Sequence, residues 1–303
     1  MDGKKYAGHF YACMTIVIWG TTYVSTKILL AALSPIEILF LRFAVGFIAL
    51  MLLYPRRLKL ADRKREWVFA AAGLCGVTLF FLLQNIALTH TQASNVGIII
   101  TIAPFFTAVF SYLFADGEKP RLPFFIGFIL AFIGIVLVSA GGSGGIRINP
   151  LGDLLTVLAA AIWAVYLLLM KRISGYRYHT VQVTRRIFFY GLLFMLPALF
   201  VFGFQPDLEQ LMGPVNLFNI LFLGLGASAL CFVTWNSAVR ILGPVKTSVY
   251  IYLVPAVTVL SSVIVLRETI TALVALGAAL TLAGLILSEN KSGLQRRRSL
   301  ENG

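Results

Sequence analysis

Ten apolar stretches follow one another along the chain, at 9–30, 36–54, 66–88, 93–114, 122–140, 151–170, 180–203, 216–240, 245–266 and 270–288. A helix needs about twenty apolar residues, each rising about 1.5 Å, to cross a hydrocarbon core about 30 Å thick. These blocks match that length and lack the polar–apolar alternation of a barrel strand. The pattern predicts an all-α integral membrane protein with ten transmembrane helices.

The polar interruptions are placed with some order. In "FLLQNIALTHTQASN" (81–95) Gln84 and Asn85 break the third block, and in "CFVTWNSAV" (231–239) Trp235 and Asn236 break the eighth. A buried amide costs free energy unless it is hydrogen-bonded, so these side chains are expected to face protein or a cavity rather than lipid. Thr15, Trp19, Thr22 and Thr26 share one face of the first span, with Tyr23 beside them, and the sixth span offers Trp163 and Tyr166. Pro104 and Pro255 stand near the middle of spans four and nine and free the carbonyls of Ile100 and Ile251 from their α-helical bonds. They are read as helix hinges. With Tyr250 and Tyr252 of span nine, the aromatic and amide side chains above form the expected substrate-cavity lining.

The two halves of the chain resemble each other. Shifted by 144, Trp19 lies on Trp163, Lys27 on Lys171 and Arg42 on Arg186; shifted by 151, Asn85 lies on Asn236, Pro104 on Pro255 and Thr107 on Thr258. Shifted by 150, Glu118 lies on Glu268, Gly127 on Gly277 and Gly134 on Gly284. So many landmarks in one order indicate duplication, with repeats at 1–141 and 150–290 and a basic tail at 291–303. Five spans per copy is an odd number, so the second copy enters the membrane upside down, the inverted-repeat architecture of secondary transporters. That topology puts Asn85 near the outer end of its span and Asn236 near the inner end of its own, as a symmetric pair of gates would be.

Composition sharpens the class. The chain is 59% apolar and 12% charged, with mean hydropathy +0.90 and net charge +13, against about 25% charged residues in globular domains. With a cytoplasmic N-terminus, nineteen Lys and Arg fall in cytoplasmic segments and two, Arg147 and Arg267, in the opposite loops. This is the positive-inside pattern, and it puts both termini in the cytoplasm. The basic balance then reflects topology and anionic lipid heads rather than nucleic acid.

Charges within the blocks are few. Lys27, Glu37 and Arg42 are expected to cluster at the first outer turn, and Arg185 and Arg186 at the inner start of span seven. Arg42 and Arg186 are charged gate candidates, suited to a salt bridge or to gripping an anion. Gly127, Ala131, Gly134, Gly277 and Gly284 give spans five and ten small-residue packing faces. The isolated Cys13, Cys75 and Cys231 read as apolar filler, and His9, His90 and His179 are far apart. No metal site, Walker-type phosphate loop or cofactor motif is read, so the chain is not expected to be an enzyme or to be driven by ATP.

The run "WGTTYVSTK" in span one, "LRF" in span two, "QNIALTHTQAS" leading into a Pro-bearing span four and "ADGEKP" before a Gly-rich span five resembles the EamA-type members of the drug/metabolite transporter superfamily. The resemblance covers residues 7–290. It implies that spans one, three, four, six, eight and nine surround a central cavity, that two and seven lie outside it and move, and that five and ten are scaffold. The four-span multidrug relatives use a glutamate in span one. Here that region reads Thr21, Thr22 and Tyr23, so that proton-antiport mechanism does not carry over. The expected function is a multi-pass inner-membrane secondary transporter of a small polar or amphipathic, amino-acid-like metabolite, with export favoured. An importer or facilitator of a metabolite or organic cation, and a non-transporting membrane scaffold, remain alternatives. The sequence leaves the substrate, direction, coupling ion and oligomeric state open.

Overall fold

The computed structural model describes residues 3–115, 122–140 and 150–289. Glu118, the glycine-rich connector at 141–149 and the basic tail at 291–303 lie outside the described residues. Within them every apolar block forms a helix. We label the long helices α1 (Lys4–Leu29), α2 (Pro35–Leu53), α3 (Arg63–His90), α4 (Ala93–Phe114), α5 (Leu122–Ala140), α6 (Pro150–Ser174), α7 (Thr180–Phe202), α8 (Pro214–Leu242), α9 (Pro244–Leu266) and α10 (Ala272–Glu289). Eight are long and apolar enough to cross a membrane by length and composition. In the other two, α5 and α10, the apolar window spans Leu122–Val138 and Ala272–Gly284. No strand occurs among the described residues.

Local chemistry fixes the helix ends. Ser34 and Glu37 form a capping box at the start of α2, where Pro35 presets the first turn. Lys27 Nζ donates to the carbonyls of Leu88 and Thr91 at the C-terminal end of α3, where the helix dipole favours a cation. Glu268 accepts from the amides of Ala93 and Ser94 at the N-terminus of α4, where it favours an anion. These contacts replace the expected cluster of Lys27, Glu37 and Arg42. Lys27 and Glu37 bond unpaired backbone groups, Lys27 on α3 and Glu37 at the cap and on the Gln205 amide, whereas Arg42 points into the bundle towards the Ser228 hydroxyl.

Four helices depart from regular α geometry in two matching pairs of places, and α9 has one further π segment, Ser262–Leu266, without a partner in α4. α3 carries a π segment at Leu74–Leu79 and α8 one at Phe222–Leu230. α4 narrows to 3₁₀ at Ile100–Ile102, just before Pro104, and α9 at Val249–Leu253, just before Pro255. Proline explains the second pair. The carbonyls of Ile100 and Ile251 lose their fourth-residue donor and accept from Ala103 and Val254 one residue nearer. The π segments have no counterpart in the sequence reading, which treated all spans as uniform.

Packing pairs follow the same correspondence. α1 runs antiparallel along α8, with Gly8 against Leu242 and Thr15 Oγ1 2.7 Å from Thr234 Oγ1, while α6 lies antiparallel along α3, with Gly152 against His90 and Tyr166 against Gly76. Gly46 of α2 meets Gly224 of α8, and Gly191 of α7 meets Gly73 of α3. α5 and α10 run against each other through Gly134 on Gly277 and Gly127 on Gly284. A Cβ added at Gly134 or Gly284 would lie 2.4 Å from the facing helix. The small-residue faces read from the sequence therefore meet one another, backbone on backbone.

Candidate functional site

Where the 3₁₀ segments of α4 and α9 meet α1, α3 and α6, the bundle holds a cavity of about 40 Å³. Its wall comes from α1 (Ile16, Trp19, Thr22, Tyr23), α3 (Phe80, Phe81, Gln84), α4 (Ile100), α6 (Trp163) and α9 (Ile251, Val254). Of the residues expected from the sequence, Trp19, Tyr23, Gln84 and Trp163 form this wall. Trp19 and Trp163 meet edge to face with centroids 5.4 Å apart, Trp235 lies 5.1 Å from Trp19, and Tyr166 4.8 Å from Trp163. Aromatic pairs at such separations contribute about 0.5–1.5 kcal/mol each beyond area burial. Trp235 and Tyr166 thus stand directly behind the wall and hold it.

The polar groups are placed with equal economy. Trp19 Nε1 donates to the Ala227 carbonyl at 2.8 Å, inside the π segment of α8, and Gln84 Nε2 donates to the Tyr23 hydroxyl at 3.1 Å. The two asparagines are buried but turned from the cavity towards neighbouring helices. Asn85 Nδ2 donates to the Pro35 carbonyl at 3.0 Å, tying α3 to the start of α2. Asn236 accepts from the Tyr166 hydroxyl at 2.7 Å and donates to Thr184 Oγ1 at 3.1 Å, tying α8 to α6 and to the start of α7. Tyr250 pairs through its hydroxyl with His9 Nδ1, and neither it nor Tyr252 is part of the wall. Residues 250 and 252 fall in the 3₁₀ segment, whose tighter turn aims Ile251 at the cavity instead.

The two gate candidates differ. Arg186 is 27% exposed and forms a fork with Glu66, which is 31% exposed; its Nε lies 2.8 Å from Oε1. The Tyr190 hydroxyl also donates to Glu66. Beside them a surface pocket of about 410 Å³ opens at the ends of α2, α3 and α7, lined in part by Arg57, Gln182 and Arg185. Arg42 is 1% exposed. Its Nε donates to Ser228 Oγ at 3.0 Å and its guanidinium carbon lies 4.5 Å from the Phe81 ring centre.

Sequence reasoning missed Phe80 and Phe81, which stand one helical turn before Gln84 and Asn85 and so share their faces. It also missed Phe232, packed 5.7 Å from Trp19, and Ser228. The signal was periodicity: following each polar interruption back one turn finds the aromatic beneath it. A cavity of about 40 Å³ admits a few waters, against about 300 Å³ or more for a small-molecule site. In this state the centre is too small for such a ligand.

The family model described as the EamA-like transporter family matches the chain twice, over residues 6–140 and 150–289. An uncharacterized transporter of Archaeoglobus fulgidus is 28% identical over 93% of this chain and 97% of its own length. An uncharacterized transporter of Bacillus subtilis is 27% identical, over 94% and 92%. A probable terminal-alkyne amino-acid exporter of Streptantibioticus cattleyicolor is 28% identical, over 94% of both. A solved structure described only as the crystal structure of a protein superposes with a TM-score of 0.64 at 20% identity, over 97% of this chain and 98% of that one, so the fold is shared.

Proposed function

The chain belongs to the EamA-like transporter family and is a multi-pass protein of the inner membrane, and from that premise we propose that it is a secondary transporter of a small amino-acid-like metabolite, working outward by alternating access. The observation that carries this reading is the small central cavity of tryptophans, phenylalanines and one amide, set where α4 and α9 lose α geometry. Broken helices around a midplane site are the recurrent design of such transporters. The exporter named among the relatives supports both the amino-acid-like substrate and the direction.

Two inverted five-helix repeats, all ten helices spanning and both termini cytoplasmic, complete the proposal. Equivalent contacts would then recur across a pseudo-twofold axis, and the antiparallel α5–α10 pair, with the α1–α8 contact repeated as α6–α3, supports that. On this reading Pro104 and Pro255 bend, Asn85 and Asn236 hold the mobile α2 and α7, and the Arg186–Glu66 fork closes the cytoplasmic rim. Counterflow in proteoliposomes tests it. Saturable exchange of a labelled neutral amino acid is expected, and Trp163→Ala should abolish it in folded protein. No saturable flux of amino acids, organic cations or sugars would overturn it.

A further inference from the structure

A guanidinium stays charged in a protein, and a charge inside a membrane bundle normally has a counter-charge or a full set of acceptors. Arg42 has neither. One nitrogen bonds Ser228 and the plane rests near Phe81, but Nη2 is buried with no hydrogen-bond partner. The groups in electrostatic range are the Cys231 thiol and the Tyr23 phenol, both ordinarily neutral at pH 7. Phe81 and Tyr23 belong to the cavity wall, so the unpaired donor stands one side chain away from the cavity. A second buried donor lacks an acceptor behind the same wall. Trp235 Nε1 is wholly buried without an acceptor. Its ring lies 5.1 Å from that of Trp19 in the cavity wall.

We propose that Arg42 is the anion subsite of the transport site and takes the carboxylate of a compact monocarboxylate with a short apolar tail. The idea rests on the transporter reading above and names the substrate class. An orphaned charged donor is costly to keep, and an apolar side chain of equal volume would be cheaper to bury. A carboxylate removes that cost when it arrives. A single guanidinium matches a single negative charge, and no cation is part of the cavity wall itself among the described residues, which disfavours a phosphate. The aromatic wall accepts the tail. Phe81, lying between Arg42 and the cavity, must turn aside as the anion enters.

The cavity supplies its own reporter. Of the four tryptophans, Trp67 is 77% exposed, and the other three surround the cavity. Full-length protein carrying Trp67→Phe, in nanodiscs, is titrated with hexanoate, L-norleucine, L-norleucine amide and hexylamine while tryptophan emission is followed. Both acids should give saturable quenching, with the amide and amine at least tenfold weaker. Arg42→Gln should reduce that preference below twofold, and Arg42→Lys should keep part of it. Equal binding of acid and amide by the unsubstituted Arg42 protein, or failure of either acid to bind, overturns the subsite even if no variant folds. So does an undiminished preference in Arg42→Gln. Counterflow separates the two ideas. Flux of amine or amide at the acid's rate removes the subsite and leaves the transporter, whereas acid binding with no flux of any solute does the reverse.

Discussion

Arg42 and Arg186 occupy equivalent places in the two halves, and their side chains go opposite ways. Arg186 reaches back to Glu66 at the first turn of α3. Arg42 reaches Ser228, whose equivalent in α3 is Val77, eleven residues deeper and about 16 Å along a helix. One arginine faces the rim and has a carboxylate; the other faces the interior and has none. The second-half counterpart of Glu66 is Leu217, so the carboxylate itself is missing from the repeat pattern. An arginine stands at the same place in both matches of the family model, and its neighbours decide whether it is tied at the rim or left unpaired in the interior.

Supplying the missing partner should break the contrast most sharply. In Ser228→Asp, Arg42 gains a permanent carboxylate, and flux of monocarboxylates should fall at least about thirtyfold, as for loss of a buried charged contact, while the melting temperature holds or rises. Unchanged flux in proteoliposomes would contradict it. The asparagines give the next largest effect. Asn236→Leu strands the Tyr166 and Thr184 hydroxyls and should cost about 2–4 kcal/mol, whereas Asn85→Leu strands one carbonyl and should cost about 1–2 kcal/mol. Thermal denaturation of both variants orders them, and Asn85→Leu should stay folded with lowered flux. Removing the rim carboxylate by Glu66→Ala should cost only about 1 kcal/mol, a shift of about 2–4 °C, because the pair is partly solvated. A drop of more than about 10 °C would show that the rim, not the interior, bears the load. Tyr23→Phe should do least, about 0.5 kcal/mol with flux within about twofold, since Gln84 borders the cavity and can turn to water.

Much of the architecture was legible because hydropathy and helix length are local properties. The ten blocks, the small-residue faces of α5 and α10 and the break before each proline follow from residues within one turn of each other. The site was half legible. Trp19, Tyr23, Gln84 and Trp163 could be read because a polar or aromatic residue in an apolar span must face protein. What escaped depends on rotation about a helix axis. The π segments of α3 and α8 insert extra residues per turn and reset which side chains face inward. This is why Asn85 and Asn236 look sideways at α2 and α7 rather than into the cavity, and why Ile251 displaces the tyrosines on either side of it. The direction of Arg42 is a choice of rotamer made by Ser228 and Phe81, two residues far away in the chain.

The contact of α5 with α10 has a mechanical consequence. At Gly134 and Gly284 the facing helices are too near to admit a methyl group, so this line acts like the spine of a book. Bodies bound along a spine swing rather than slide, and the farther a page lies from the binding, the wider its arc.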